Sequence, residues 1–471
     1  MKVKANNFIS AARLAVRDAR LRAAITTSTL NSDTQRRQAM SAIGHQHAGH
    51  MRRQAAEAKR RALRDLPDLL ERAEANMRAN GIHVLWAEDG PEACRLVLEL
   101  IERHRASRIV KSKSMLTEEI ALNAALESAG LEVFETDLGE YIVQIAGEPP
   151  SHIVGPALHM SKGRIRDLFV RKLGMPPTDS AEEMTQFVRR ILRQAFLEAD
   201  MGISGGNFII ADTGTLCLAT NEGNGRMVTT LPPVHVAVVG IEKIVETLED
   251  YATLTQILAR SSTGQTVTVY NHMIHGPRRA GEGDGPDHVY VILVDNGRSD
   301  IYATAYAEAL ACLRCGACLN ACPVYRTTGG HAYGWVYSGP IGAVVTPLLT
   351  GLENASPLPY ASSLCGKCKN VCPVDIDLPR MLLDLRHDLV EQGRSAPLWT
   401  IGMRGWAAAN RSPRLFEVGG RAIRLGMRFV PRHAPGPVGG WTRYRDLPPA
   451  SSKSFRQLWR ERQKGGNGEQ P

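Results

Sequence analysis

The chain has 471 residues, 43% of them hydrophobic and 22% charged, values that fit a soluble globular protein of about three domains and argue against wholesale disorder, a fibrous repeat or a multi-span membrane protein. Lys and Arg number 57 against 48 Asp and Glu, but from Ile401 onward the count is 14 against 4. The excess therefore sits in a basic tail on a near-neutral body, which reads as a docking segment rather than as a charged face for nucleic acid, and no nucleic-acid partner is expected.

Residues 1–80 are rich in Ala, Arg, Glu and Gln. The stretch 52–78 has good helix formers with Leu at helical spacing, and Pro67 is expected to interrupt it or start a new turn. His45, His47 and His50, with Gly44 and Gly49 beside them, read as a solvated loop rather than a metal site. Residues 1–30 hold Arg and Asp throughout and lack the apolar run of an export signal, so the expected location is cytoplasmic, with peripheral attachment to a membrane left open.

From 81 to 296 short apolar runs alternate with helix-like stretches. Strands are expected at 83–86, 131–134, 208–211, 215–218, 234–239 and 289–294, and helices at 91–104 and 118–129. This is the pattern of an α/β layer with a largely parallel sheet. Ligands of such sheets bind at the carboxyl ends of the strands. The candidate loops are 111–114, after a strand ending at Val110, and 202–207 with 222–225. Neither a phosphate-binding P-loop nor a dinucleotide-binding glycine fingerprint is present.

Residues 297–395 hold seven of the nine cysteines; Cys94 and Cys217 stand alone. The first motif is Cys312-x2-Cys315-x2-Cys318-x3-Cys322-Pro323, the second Cys365-x2-Cys368-x3-Cys372-Pro373. This is the bacterial ferredoxin spacing, in which three thiolates wrap one cubane and the Cys before Pro ligates the other cluster. Crossed ligation predicts Cys312, Cys315, Cys318 and Cys372 on the first cluster. It leaves Cys322, Cys365 and Cys368 on the second, with Ser362 where a fourth Cys belongs. Either Ser362 or another group completes a [4Fe–4S] cubane, or the second cluster rests as [3Fe–4S]. Thiolate zinc sites are usually written as pairs of CxxC, and a disulfide framework does not suit a reducing compartment. Flanking residues 302–313 and 381–389 read as helices, which favours an α-helical ferredoxin-like arrangement. Arg314, Lys367 and Lys369 lie near the clusters, where positive charge raises a potential. The uncharged stretch 332–352 is too rich in Gly and Pro for a membrane span and reads as a short buried helix around 341–352. Residues 396–471 form a basic C-terminal extension. Helices are expected within 411–429, a turn cluster at 431–440 and disorder from 464 to 471.

Taken together these words resemble the lactate-utilisation iron–sulfur protein family of the LutB type. The match rests on Lys111-Ser112-Lys113-Ser114-Met115, Glu135-x-Asp137-x-Gly139-Glu140, His152-Ile153, Ala211-Asp212-Thr213-Gly214-Thr215 and the phrases around both cysteine motifs. The resemblance implies a lactate-utilisation (LUD) domain with a CoA-transferase and sugar-phosphate-isomerase-like α/β fold, two iron–sulfur clusters, and a role in oxidising L-lactate to pyruvate. It also implies two partners, a protein with cysteine-rich CCG domains and a second LUD-domain protein, with an electron acceptor left unidentified. The absence of the fourth Cys in the second motif follows the family pattern.

Two functions follow. One is an electron-transfer subunit relaying electrons through both clusters. The other is a self-contained α-hydroxy-acid oxidoreductase using a pocket in the α/β domain. There Lys111, Lys113, Asp137, Glu140 and His152 are the candidate groups, with Lys113 to hold a carboxylate and His152 to accept a proton.

Overall fold

Two sheets organise the α/β part. In the computed structural model, which describes residues 3–394, 397–427, 429 and 448–465, the strands in chain order are β1 His83–Ala87, β2 Arg108–Lys111, β3 Glu132–Glu135, β4 Met201–Ser204, β5 Phe208–Ile210, β6 Thr215–Thr220, β7 Val234–Gly240, β8 Ile244–Val245, β9 Tyr270–Ile274 and β10 His288–Val294. Six of them form one parallel sheet in the order β1-β10-β7-β4-β2-β3. Its central strands β7 and β10 are almost wholly buried, which is why they read as continuous Val- and Ile-rich runs rather than as alternation.

The runs at 208–211 and 215–218 do not join this layer. They make an antiparallel hairpin in a second sheet, β8-β5-β6-β9. The four residues between β5 and β6, with Gly214 at φ +62°, are far too few for a parallel crossover.

Several expected helices are also revised. His45, His47 and His50 lie on the helix His45–Arg64 rather than in a loop, their side chains exposed. Gly44, at φ +79°, sets the boundary one residue earlier. Pro67 does start a new helix, Leu66–Ala79. The stretch 118–129 is broken into Met115–Glu119 and Leu122–Ser128 by Ala121 in the left-handed region. The stretch 302–313 is not continuous either. It becomes the end of Arg298–Tyr302 and a 3-10 turn Ala307–Ala311, because the chain must arrive at Cys312 extended. Gly339–Thr350 is the expected buried helix, and among the described residues no helix is long and apolar enough to cross a membrane.

The chain divides into two compact units, Met1–Leu389 and Val390–Pro471. In the first, the N-terminal helices pack against the cysteine region. Arg52 donates to the Cys372 carbonyl at 2.8 Å and Arg60 pairs with Glu308 at 2.6 Å. The second unit contains Pro397–Asn410, Pro413–Met427 and Phe455–Gly465, with Trp399, Trp406, Phe416 and Trp459 exposed. The turn cluster at 431–440 and residues 466–471 lie outside the described residues; Lys464, expected to be disordered, is helical.

Candidate metal centre and adjoining cavity

The two cysteine motifs have one backbone, repeated fifty residues on. Arg314 and Leu364, each just before a Cys, are left-handed at φ +57° and +53°, and Gly316 and Gly366 are both at +77°. A five-residue helix follows each, Ala317–Ala321 and Lys367–Val371, ending at Cys322 and Cys372 with matching extended angles. At this offset Ser362 occupies the position of Cys312. The Arg314 N–H donates to Cys312 Sγ at 3.4 Å, and the Leu364 N–H donates to Ser362 Oγ at 3.1 Å. The serine hydroxyl thus stands where the first motif has its leading thiol.

The thiols are held for deprotonation by fixed donors. The N–H of Ile376 donates to Cys372 Sγ at 3.4 Å. The N–H groups of Ala317, Lys367 and Lys369 favour the thiolates of Cys315, Cys365 and Cys368. Burial works the other way. It pushes Cys368 up to about 12 and Cys372 up to about 11, and raises Cys315, Cys318 and Cys322 as well. Cys365, the exposed one, is lowered by the Lys367 N–H and then by the Ser363 side chain. Buried thiols ringed by N–H donors suit metal-bound thiolates, because coordination removes the proton that burial retains.

Charge supports the same fit. Cys372 feels Cys312, Cys322 feels Cys365, and Cys318 feels both Cys372 and Cys368, so the thiols of the two motifs lie within electrostatic reach of one another. Lys59, Lys243 and Arg314 all sense Cys312. Arg314 Nη1 is buried without a hydrogen-bond partner, an arrangement that an anionic thiolate cluster beside it would complete. Among the described residues no three His, Cys, Asp or Glu side chains close on a point as a single ion requires; a cubane carries its ligands at its corners, farther apart.

A cavity of about 400 Å³ adjoins the first motif. Its walls come from the carboxyl ends of β2, β4 and β7, from Asp137 just beyond β3, and from Leu313, Arg314 and Tyr337 of the cysteine region. The strand-end rule thus locates it.

Of the predicted catalytic groups, Lys113 and Asp137 line this cavity, but Lys113 donates to the Val154 carbonyl at 2.6 Å and Asp137 caps the helix Leu138–Ala146. Lys111 is buried beneath, 2.7 Å from Glu135, which keeps its amine charged against the cost of burial. Glu140 is buried with Oε1 unpartnered, and burial, then Glu135, pushes its carboxyl up to about 8.

His152 is a brace. Its Nδ1 accepts the N–H groups of Val154 and Gly155 at 3.0 and 3.1 Å, so Nε2 carries the proton and donates to Asn320 Oδ1 at 3.1 Å. Burial, then the charge of Lys113, pushes it down to about 4. Both nitrogens are engaged, which leaves no lone pair for a substrate proton.

The sequence reading missed Lys243, Glu242, Arg298, Glu119 and Tyr337. Arg298 binds Glu242 Oε2 at 2.6 Å and both oxygens of Glu119 at 2.9 and 3.0 Å; Tyr337 donates to Glu119 at 2.5 Å. Glu242 and Lys243 lie two and three residues past the end of the buried strand β7, so the strand-end rule was the signal that points to them.

Comparison with known proteins matches residues 70–294 to the LUD domain, 308–376 to a 4Fe-4S dicluster domain and 384–464 to the C-terminal domain of lactate utilisation protein B. The chain is 42% identical over 472 residues to lactate utilization protein B of Shouchella clausii, covering 99% of both chains. It is 45% identical to that of Bacillus licheniformis, covering 87% of both, and 41% identical to an uncharacterized electron transport protein, YkgF, of Escherichia coli, covering 98% of both. A solved duf162 family protein from Deinococcus radiodurans aligns with 49% of this chain and 98% of its own at 16% identity, with a TM-score of 0.28, too low to carry an argument. The dicluster domain means two iron–sulfur clusters in the cysteine region. With three family descriptions matched in order and this identity sustained along nearly its whole length, the chain belongs to the lactate utilization protein B family.

Proposed function

We propose that this protein is the electron-transfer subunit of a system that oxidises L-lactate to pyruvate. The observation that carries the reading is the pair of like-built cysteine loops whose short helices pack together. In this reading Cys312, Cys315, Cys318 and Cys372 hold one [4Fe–4S] cluster; Cys322, Cys365 and Cys368, with the Ser362 hydroxyl as fourth ligand, hold the other. The matching N–H donors to Cys312 and Ser362 support that place for the serine. A [3Fe–4S] second cluster is the outcome if the hydroxyl does not bind.

Lactate oxidation releases two electrons and two protons, and each bound cluster accepts one electron at a time. The chain's part is to keep both cages close and to exclude water from the first. The cysteine region is read as α-helical ferredoxin-like, and the α/β body as CoA-transferase and sugar-phosphate-isomerase-like. The expected partners are a CCG-domain protein and a second LUD-domain protein in the cytoplasm. The basic second unit serves as docking surface for an acidic partner.

The test is Cys315→Ala in the complex copurified without oxygen. Iron should fall by about half and lactate-driven reduction of the second cluster should stop. Reduction at the full rate would refute the relay. The alternative, a self-contained α-hydroxy-acid oxidoreductase, is favoured by the cavity reaching Leu313 and Arg314. Turnover of lactate by this chain alone, with an artificial oxidant, would select it.

A further inference from the structure

The cavity spans four adjacent strands, and its two ends differ in charge. Beyond β3 lie Asp137 and Glu222, beyond β7 Lys243, with Arg314 on the facing wall. Strands stand about 4.8 Å apart, so β3 and β7 are separated by roughly 14 Å; a small ligand occupies one end only.

At the β7 end the charges do not cancel within the protein. Glu119 is taken by Arg298 and Tyr337, and one oxygen of Glu242 by Arg298. Lys243 has its nearest carboxylate oxygen, Glu242 Oε1, at 3.7 Å, and donates no hydrogen bond to any described residue. The guanidinium of Arg314 rests 4.5 Å from the centre of the Tyr337 ring and has no carboxylate or carbonyl partner among the described residues. Buried cations persist when something pairs with them. A bound cluster would offset this excess as charge, but Lys243, which faces the cavity, still has no hydrogen-bond acceptor among the described residues and is left for a diffusible anion.

We propose that the β7 end of the cavity binds a small organic monocarboxylate, held by Lys243 and the planar edge of Arg314, one residue from a ligand of the first cluster. A guanidinium fork and one amine match a carboxylate. A phosphate dianion would be repelled by Glu242 more strongly than a monoanion is. The site rests on the iron–sulfur reading for its neighbour but not on lactate being the substrate, and it adds to the relay a ligand that the redox centre can sense.

The experiment uses the full chain prepared without oxygen, both clusters counted by iron and sulfide. Calorimetric titration with L-lactate, pyruvate, inorganic phosphate and propane-1,2-diol supplies the arms. Saturable binding of the two acids, absent for the diol, is expected. Lys243→Met should weaken it at least tenfold with iron content unchanged, and Lys243→Arg should restore part of it. Ligand should also perturb the first cluster's EPR signal. Absence of binding, binding indifferent to Lys243→Met, or phosphate binding as well as the acids would overturn the proposal. The relay fails separately, through the iron count and the Cys315→Ala result.

Discussion

Around Cys315, Cys318 and Cys372 the protein closes, while around Cys365 it opens. The three are buried in the largest hydrophobic core, as are Cys322 and Cys368, whereas Cys312 is half-buried and Cys365 is exposed. The Cys312 loop faces Lys59, Lys243 and Arg314. The second loop has Lys367 in the open, and Lys369 is paired with Asp377 at 2.5 Å. One backbone design thus serves two surroundings: a site enclosed against the cavity, with Arg314 beside it, and one that opens to the surface at Cys365. In the relay reading this difference sets a direction, from the cavity to the first cluster and out through the second.

Breaking one ligand in each loop gives the largest contrast. Cys318→Ser should cost more than about 3 kcal/mol, because it removes metal and leaves a polar group inside packed core. Cys365→Ser should empty or convert only the surface site, at about 1 kcal/mol. Anaerobic thermal unfolding with iron analysis checks this; equal losses in the two variants would dissolve the contrast between enclosed and open.

Acid should separate the loops next. The His152 brace packs on the first loop through Gly316 and Asn320. A Cβ on Gly366 meets nothing within 4 Å, so no such brace touches the second loop there. The ring is held neutral, down to about 4 from its usual 6.5. Its contribution is complete above pH 6.5, is lost as pH falls toward 4, and amounts to on the order of 3 kcal/mol. The first cluster's signal should therefore fade before the second's over this window. His152→Gln should flatten the dependence; an unchanged slope in that variant would place the acid sensitivity elsewhere.

The cations sharpen the comparison electrically. A unit charge about 8 Å away at an effective dielectric of about 20 is worth roughly 2 kcal/mol, or on the order of 90 mV for one electron. Arg314→Gln should lower the first cluster's midpoint by up to that amount and leave the second nearly unmoved. Redox titration followed by EPR reads both in one sample.

What was legible in the chain was what is local. Cysteine spacing is a local geometry, and so is the unbroken apolar character of β7 and β10. The hairpin of β5 and β6 was half legible: its strands could be read, but their partners depended on a four-residue connection that was passed over. Of the cationic end of the cavity only Glu242 and Lys243 were within reach of the strand-end rule; Glu119, Arg298 and Tyr337 come from distant segments and meet them only when the sheet and the cysteine region pack. His152 shows the opposite error. A histidine near acidic and basic residues read as a base, whereas its surroundings engage both nitrogens and make it a structural tie.

The smallest predicted effect isolates geometry from charge. Gly316 and Gly366 share φ +77°, so replacing either with Ala incurs the same left-handed penalty, roughly 1–2 kcal/mol. They differ in what the new methyl meets. At Gly316 it would lie 3.1 Å from His152 Cε1 and 3.2 Å from Val154; at Gly366 it meets open space. Gly316→Ala should therefore cost about 1 kcal/mol more, since the brace must shift. Because His152 then moves relative to Asn320, the variant should also lose part of its acid dependence. Chemical unfolding of the pair at pH 7.5 and pH 5 tests this. If the two alanines cost the same at both values, the first loop is no more tightly braced than the second, and the contrast between the sites reduces to solvent exposure alone.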